Sequence, residues 1–167
     1  MKSLINHFNF IRAKLGKINL PLHEPDIDID DQKEVINCLK SGYVSSAGKE
    51  INVFEKKLKS ITKSQFVIPV INGTSAIHIG LKVVGVKPLD EVLVPSLSFV
   101  APVNAILYLN ATPHFVDSEK DHFAIDPKKL DDYLSKNTLI KKNYCLNKKT
   151  KKIIRALILV HVFRNQA

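Results

Sequence analysis

The sequence predicts an α/β fold with a largely parallel sheet flanked by helices, and three observations carry that expectation. Four short apolar runs rich in branched residues fall at 65–71 (QFVIPVI), 91–95 (EVLVP), 113–117 (PHFVD) and 153–160 (IIRALILV). The stretches between most of them carry apolar residues at helical spacing, the alternation expected of βαβ units whose strands are buried on both faces. The composition agrees: 167 residues, 45% hydrophobic and 25% charged, suit a folded chain with a sizeable core.

The elements follow in order. Residues 3–15 place Leu4, Ile5, Phe8, Ile11 and Leu15 on one helical face. An irregular stretch with two prolines follows, INLPLHEPDID. The spacing of Asp31 and Glu34 then predicts a capping box in front of Val35, Ile36 and Leu39, with the helix stopping near Gly42. Tyr43 to Gly48 read as a small-residue loop, and Ile51, Phe54, Leu58 and Ile61 mark another amphipathic helix. The run at 65–71 is expected to be a strand, although Pro69 removes a ladder donor and suits a short or edge strand. Ala76, Ile77, Leu81 and Val84 predict a helix after Asn72-Gly73-Thr74-Ser75, residues 96–109 a loop then a helix, and 127–134 a further helix. Neither an internal repeat nor a low-complexity tract appears.

Charge is unevenly placed. The formal net charge is +9, yet residues 1–132 hold 16 basic and 16 acidic side chains. All the excess lies in the last 35 residues, in Lys136, Lys141, Lys142, Lys148, Lys149, Lys151, Lys152, Arg155 and Arg164. A nucleic-acid surface would spread such groups along a face and interleave them with stacking aromatics. Tyr144 is the sole aromatic in the cluster, so a solvated lysine-rich loop is expected and no nucleic-acid partner. No apolar run nears the roughly 20 residues of a membrane span, so no membrane partner is expected. The first residues lack the unbroken apolar core of a signal peptide. Cys38 and Cys145 stand far apart without partner spacing; neither a disulfide nor a metal site is expected, and a reducing cytoplasm fits.

Three segments are candidates for ligand contact, because ligands of open α/β sheets sit beyond the carboxyl ends of the strands. At 72–76, Gly73 would let a ligand approach the backbone, the first N–H groups of a helix favour an anion, and Thr74 and Ser75 add hydroxyl donors. The same residues would equally serve as a plain turn and helix cap. The segment lacks the lysine of a P-loop and the spaced glycines of a dinucleotide fingerprint. Phe99, after the second run, could cover a flat ring or belong to the core. His161, after the last run, could touch a ligand or be a satisfied structural histidine.

Taken together, PLHEP (21–25), CLKSGYVSSAGKEINVFE (38–55), NGTSAIHIGL (72–81), DEVLVPSLSFVAPVNAILYLNATPHFVD (90–117) and ALILVHVF (156–163) resemble the DegT/DnrJ/StrS family of sugar-nucleotide aminotransferases. PLHEP, SGYVSS and the lysine-rich insert most resemble the subgroup that aminates nucleotide-linked 4-keto-6-deoxy sugars for nonulosonic acids. The resemblance implies a fold type I large domain, the cofactor pyridoxal 5′-phosphate, a homodimer, and glutamate and a nucleotide sugar as substrates. It places Gly73, Thr74 and Ser75 on the cofactor phosphate and Phe99 over the pyridine ring. Tyr43, Ser45 and Ser46 fall in the loop that borders the substrate or the neighbouring subunit.

The match also departs from the family. Arg164 stands where glycine is usual, and the family pattern continues well past HVFRNQA. The Schiff-base lysine and the aspartate of the pyridine nitrogen find no matching position, so no catalytic residue is assigned. The chain is therefore expected to be a truncated large domain, with 1–20 a leading helix, 21–64 an arm with helices, and 65–167 the first part of the cofactor domain. It is expected to be inactive alone; the alternative is a non-catalytic remnant that binds phosphate or pairs with a full-length homologue.

Overall fold

A computed structural model describes residues 2–16, 24–121 and 123–162. Most of PLHEP, together with Phe163 and Arg164, lies outside the described residues. The chain divides into two compact units, Met1–Val67 and Ile68–Ala167.

The first unit holds three helices: α1 (Lys2–Leu15), α2 (Ile29–Ser41) and α3 (Lys49–Thr62). The cap of α2 lies earlier than the sequence suggests. Asp28, not Asp31, is the N-cap: its Oδ1 accepts from the N–H groups of Asp30 at 2.8 Å and Asp31 at 2.9 Å, while Asp31 Oδ2 accepts from Asp28 N–H. Aspartate can occupy both places of the reciprocal pair, so the box closes three residues ahead of the expected one. Gly42 ends the helix at φ 74°, a left-handed conformation that glycine adopts without a Cβ clash.

The second unit is a mixed five-stranded sheet with helices on both faces. Its elements are α4 (Gly73–Val83), β1 (Glu91–Pro95), α5 (Val100–Tyr108), β2 (Thr112–Val116), α6 (Pro127–Asn137), β3 (Thr138–Lys141), β4 (Tyr144–Asn147) and β5 (Ile153–Leu157). The strand order is β2-β1-β5-β4-β3. β1 pairs in parallel with β2 and β5, whereas β4 runs antiparallel to β5 and β3 antiparallel to β4. All five residues of β1 are buried, as its apolar run foretells. One face of β1 packs Val92 and Val94 against Leu81 of α4 and Ala105 and Ile106 of α5. The other face packs Leu93 with Val116, Ile125 and Ile154, covered by Leu130 and Leu134 of α6.

Three expectations are corrected. The run at 65–71 is not a strand. Pro69 cannot donate, and Ile68 and Ile71 are 80% and 91% exposed, so no ladder or core rewards an extended pairing there. The lysine-rich segment is not a loop but the β3–β4 hairpin and its return. Leu139 pairs with Leu146 and Ile140 with Cys145 along the antiparallel ladder, and Lys142 and Asn143 form the turn with φ of 49° and 64°. The last strand ends at Leu157 rather than Val160, although Ile158 N–H still donates to Leu93 O at 2.9 Å.

Buried charge ties the amino end of this sheet together. Glu91, 2% exposed, accepts hydrogen bonds from Thr150 Oγ1 at 2.6 Å, Asn147 Nδ2 at 2.9 Å and His114 Nδ1 at 2.7 Å. His114 Nε2 in turn meets Tyr133 Oη at 3.0 Å. Next to it, Asp90 Oδ2 accepts from Arg155 Nε and Lys87 N–H, both at 3.0 Å, and Arg155 lies over the Tyr144 ring. The hydrogen bond to Asp90 raises the pKa of Arg155. Burial alone would push the Glu91 carboxyl up, but the donors Thr150, Asn147 and His114 and the nearby imidazole together hold it below the usual value.

A folded-state pKa below the unfolded value means that Glu91 stabilises the fold above roughly pH 4.3 and loses that contribution as pH falls through the folded value. Glu91→Gln is expected to lower stability by on the order of 3 kcal/mol at neutral pH, because an amide cannot accept all three donors. Urea unfolding followed by circular dichroism from neutral pH down to acid should show the parent losing stability on acidification, and the variant losing less. Equal acid dependence in the two would refute the role given to Glu91.

Candidate functional site

The site grows from the way two helices begin. α4 is fastened at its end to the amino side of β1: Val86 N–H donates to Leu81 O, Leu89 N–H to Asn110 O, and Thr112 N–H to Asp90 O. From there α4 runs back over the sheet with Leu81 and Ile77 packed on the Val92 and Val94 cluster. Its 11 residues cover roughly 16 Å, so its first turn reaches the side where the parallel strands end. α5 begins on that side as well, since Phe99 lies only four residues beyond the end of β1.

At the start of α4, Asn72 is the N-cap in extended backbone, with φ −162° and ψ 169°. Its Oδ1 accepts from Ser75 N–H at 2.8 Å and its carbonyl accepts from Ala76 N–H at 3.1 Å. The N–H groups of Gly73 and Thr74 precede the first intrahelical bond and have no acceptor inside the helix. A Cβ placed on Gly73 would meet nothing within 4 Å, so the space before this turn is open. Gly73 is not in a left-handed conformation; its contribution is access to the backbone rather than relief of strain.

Thr74 and Ser75, both half-buried, line a pocket of about 290 Å³ with Asn72, His78 and Tyr108. The His78 and Tyr108 rings meet edge to face with centroids 5.9 Å apart. No carboxylate lines this pocket, so an anion there meets hydroxyl, amide and ring donors without like-charge repulsion. His78 lies one helical turn past Thr74 and Ser75, a spacing visible in the sequence; Tyr108 comes from α5 and had no local signal.

Phe99 is the N-cap of α5, and its ring is 75% exposed rather than in the core. It is not among the residues lining the Thr74–Ser75 pocket; the structure places both at the carboxyl side of the sheet without joining them in one cavity. His161 follows β5, exposed and held by a further interaction. Tyr43 belongs to the first unit, where Ser41 Oγ accepts from its N–H at 3.2 Å and its carbonyl accepts from Cys38 Sγ. It lines a shallow pocket of about 380 Å³ with Ser41, Ala47, Lys49, Glu50 and Asn52. Ser45 and Ser46 are exposed and do not line that pocket. Cys38 and Cys145 are both free thiols. Among the described residues no cluster of His, Cys, Asp and Glu could hold a metal ion, and no helix is long and apolar enough to cross a membrane.

Residues 25–166 match the model of the DegT/DnrJ/EryC1/StrS aminotransferase family. The chain belongs to that family. Among its relatives is the GDP-perosamine synthase of Vibrio cholerae, 33% identical over 144 residues, which cover 86% of this chain and 35% of the relative. A family aminotransferase from Brucella abortus, known from its crystal structure, superposes with a TM-score of 0.67 at 27% identity, covering 87% of this chain and 39% of that one. NtdA from Bacillus subtilis, solved with the bound cofactor PMP, superposes with a TM-score of 0.61 at 26% identity over 87% of this chain and 32% of its own. The chain spans about a third of the length of the curated relatives it matches. Its fold is that of the first part of a fold type I aminotransferase domain, and the three parallel strands with α4 and α5 form its frame.

If Asn72 holds the first turn of α4 as the geometry indicates, Asn72→Ala should cost about 1 kcal/mol of stability. Phe99→Ala, at an exposed ring, should stay within about 0.5 kcal/mol of the parent. Thermal unfolding of both variants checks the contrast. A larger loss at Phe99 than at Asn72 would show that Phe99 supports the core instead of facing outward.

Proposed function

We propose that this chain supplies the cofactor-phosphate side of a pyridoxal-phosphate-dependent sugar aminotransferase. The observation that carries the reading is the start of α4: two helix N–H groups, an open glycine and two hydroxyls, capped by Asn72 at the carboxyl side of a sheet within the family-matched span. These donors suit a phosphate monoester, so the residues present fit the cofactor. Gly73 and Thr74 N–H groups and the Thr74 and Ser75 hydroxyls hold its phosphate. Phe99 offers an exposed ring face for a flat heterocycle, and its low burial is consistent with that task. When bound, the cofactor supplies an electron sink that lets an amino group pass between two carbonyl carbons.

The amino group comes from glutamate and goes to the keto carbon of a nucleotide-linked 4-keto-6-deoxy sugar, in surface-polysaccharide or nonulosonic acid synthesis. Tyr43, Ser45 and Ser46 contact the substrate or a second subunit of a homodimer in the cytoplasm. The support for these finer assignments is the match of SGYVSS, NGTSA and PSLSFVAP to the family pattern. None of the lysines in residues 1–167 matches the position that binds the cofactor aldehyde, and no aspartate matches the partner of the pyridine nitrogen. The 167-residue chain is therefore inactive by itself.

Two measurements test this reading. The purified chain, given pyridoxal 5′-phosphate, glutamate and a nucleotide 4-keto-6-deoxy sugar, should form no amino sugar, and borohydride should fix no stoichiometric cofactor on any lysine. A single lysine carrying the cofactor would overturn the inactivity. In a chain extended to the length of its relatives, Thr74→Ile should weaken cofactor binding tenfold or more, the loss of roughly one charge-assisted hydrogen bond, while leaving the unfolding midpoint near that of the parent. Unchanged affinity with a lowered midpoint would make the loop a helix cap only.

A further inference from the structure

We propose that the cavity between the outer edge of β2 and α6 binds a cationic nitrogen carried on an apolar stem, from a free amine or from a basic side chain of a peptide. The cavity measures about 330 Å³, the size of a small-molecule site, and shares no lining residue with the Thr74–Ser75 pocket. Val116 and Leu130 give it apolar walls, and Phe115 and Tyr133 add rings that are 56% and 38% exposed. Its polar side chains are Asp117, just past β2, Asp126 at the cap of α6, Lys129 and Tyr133.

Hydrogen-bond inventory selects the occupant. An ionised carboxylate accepts and cannot donate. Asp117 Oδ1 accepts from Ser118 N–H at 2.9 Å, and its second oxygen receives no donor among the described residues. Asp126 Oδ1 accepts from the N–H groups of Lys128 and Lys129, and Lys129 Nζ lies 3.8 Å from its Oδ2. The lysine of the lining is thus drawn to one carboxylate, and Asp117 is left unbalanced. The third acceptor comes from the buried network. Glu91 takes the His114 Nδ1 proton at 2.7 Å, with the two side chains 3% and 11% exposed. A neutral imidazole then offers only an acceptor at Nε2, and Tyr133 Oη, 3.0 Å away, gives its single proton to it. What Tyr133 keeps for the cavity is an oxygen with lone pairs and no proton. A carboxylate ligand would meet repulsion there and a neutral hydroxyl would bring one donor, whereas an ammonium brings three with a matching charge. The rings accept the apolar stem, and their faces favour a cation as well. A peptide has a further foothold. β2 is the outer strand, and Thr112 N–H and Val116 O both turn to the β1 side, so the Phe115 backbone faces the open edge.

Amide NMR titrations of the 167-residue chain test this above neutral pH, where histidine is ordinarily uncharged. The probe is phenethylamine, compared with the neutral phenethyl alcohol and the anionic hydrocinnamate. The amine should shift the amides of Phe115, Val116, Asp117, Leu130 and Tyr133 and bind roughly tenfold tighter than either control. Asp117→Asn keeps the Oδ1 acceptor for Ser118 and should weaken the amine roughly tenfold while leaving the alcohol unchanged. Tyr133→Phe keeps the ring, removes the oxygen, and should lower amine affinity in the same direction. An acetylated Val-Lys-Val amide separates the two sources. Tighter binding than the amine, with slowed exchange of Phe115 N–H, assigns the site to a peptide strand; binding no tighter assigns it to a free amine. Amine affinity equal to that of the alcohol or of hydrocinnamate would overturn the proposal. So would amine binding that neither Asp117→Asn nor Tyr133→Phe alters, or shifts confined to residues outside this cavity.

Discussion

A carboxylate buried at the amino end of β1 organises the second unit. Glu91 sits where a charge is costly to desolvate, and it is tolerated because three donors from three places converge on it. His114 belongs to β2, Asn147 to the end of β4, and Thr150 to the turn that leads into β5. A one-residue slip of β1 against β2 would turn Glu91 toward the opposite face and strand all of these groups. The burial that penalises an unpaired carboxylate therefore enforces the register Glu91 to Thr112 and Glu91 to Ile154. Asp90, immediately before β1, and Arg155 of β5 repeat the same device one residue earlier.

Holding the polar network at one end leaves the other end of the parallel strands for helix starts. α4 and α5 both run back toward the network and bury Leu81, Ala105 and Ile106 on Val92 and Val94. Their first turns consequently open on the carboxyl side, with N–H groups that no helical carbonyl can reach. Asn72 satisfies Ser75 and leaves Gly73 and Thr74 directed at whatever occupies the open space. The open helix start proposed as an anion site thus follows from packing demands placed roughly a helix length away.

Much of this was legible along the chain. Five adjacent buried residues in EVLVP read as a strand, Gly42 marked a helix end, and NGTSA lay at a helix start, as local propensity and capping require. What misled was local too: QFVIPVI has the composition of a strand, yet Pro69 and the lack of a partner leave it unpaired. The capping box was displaced because Asp28 and Asp31 offered a second reciprocal pair three residues before the expected one. The lysines of 136–152 concealed a hairpin, since strand pairing uses backbone groups and asks of the side chains only partial burial at Cys145 and Leu146, one on each face.

By itself, the sequence determined the family, the alternation of helix and strand in the second unit, and the residue types gathered at the start of α4. These are properties of short segments, carried by apolar period, cap residues and glycine placement. Only the tertiary structure decided that Glu91 is the carboxylate of a three-donor network, that Tyr108 meets His78 beside Thr74 and Ser75, and that Phe99 is exposed. Each of those depends on groups separated by 23 to 59 residues, or on a ring left without neighbours. No local pattern encodes such meetings, because they arise from the order in which strands align and the faces that helices are obliged to bury.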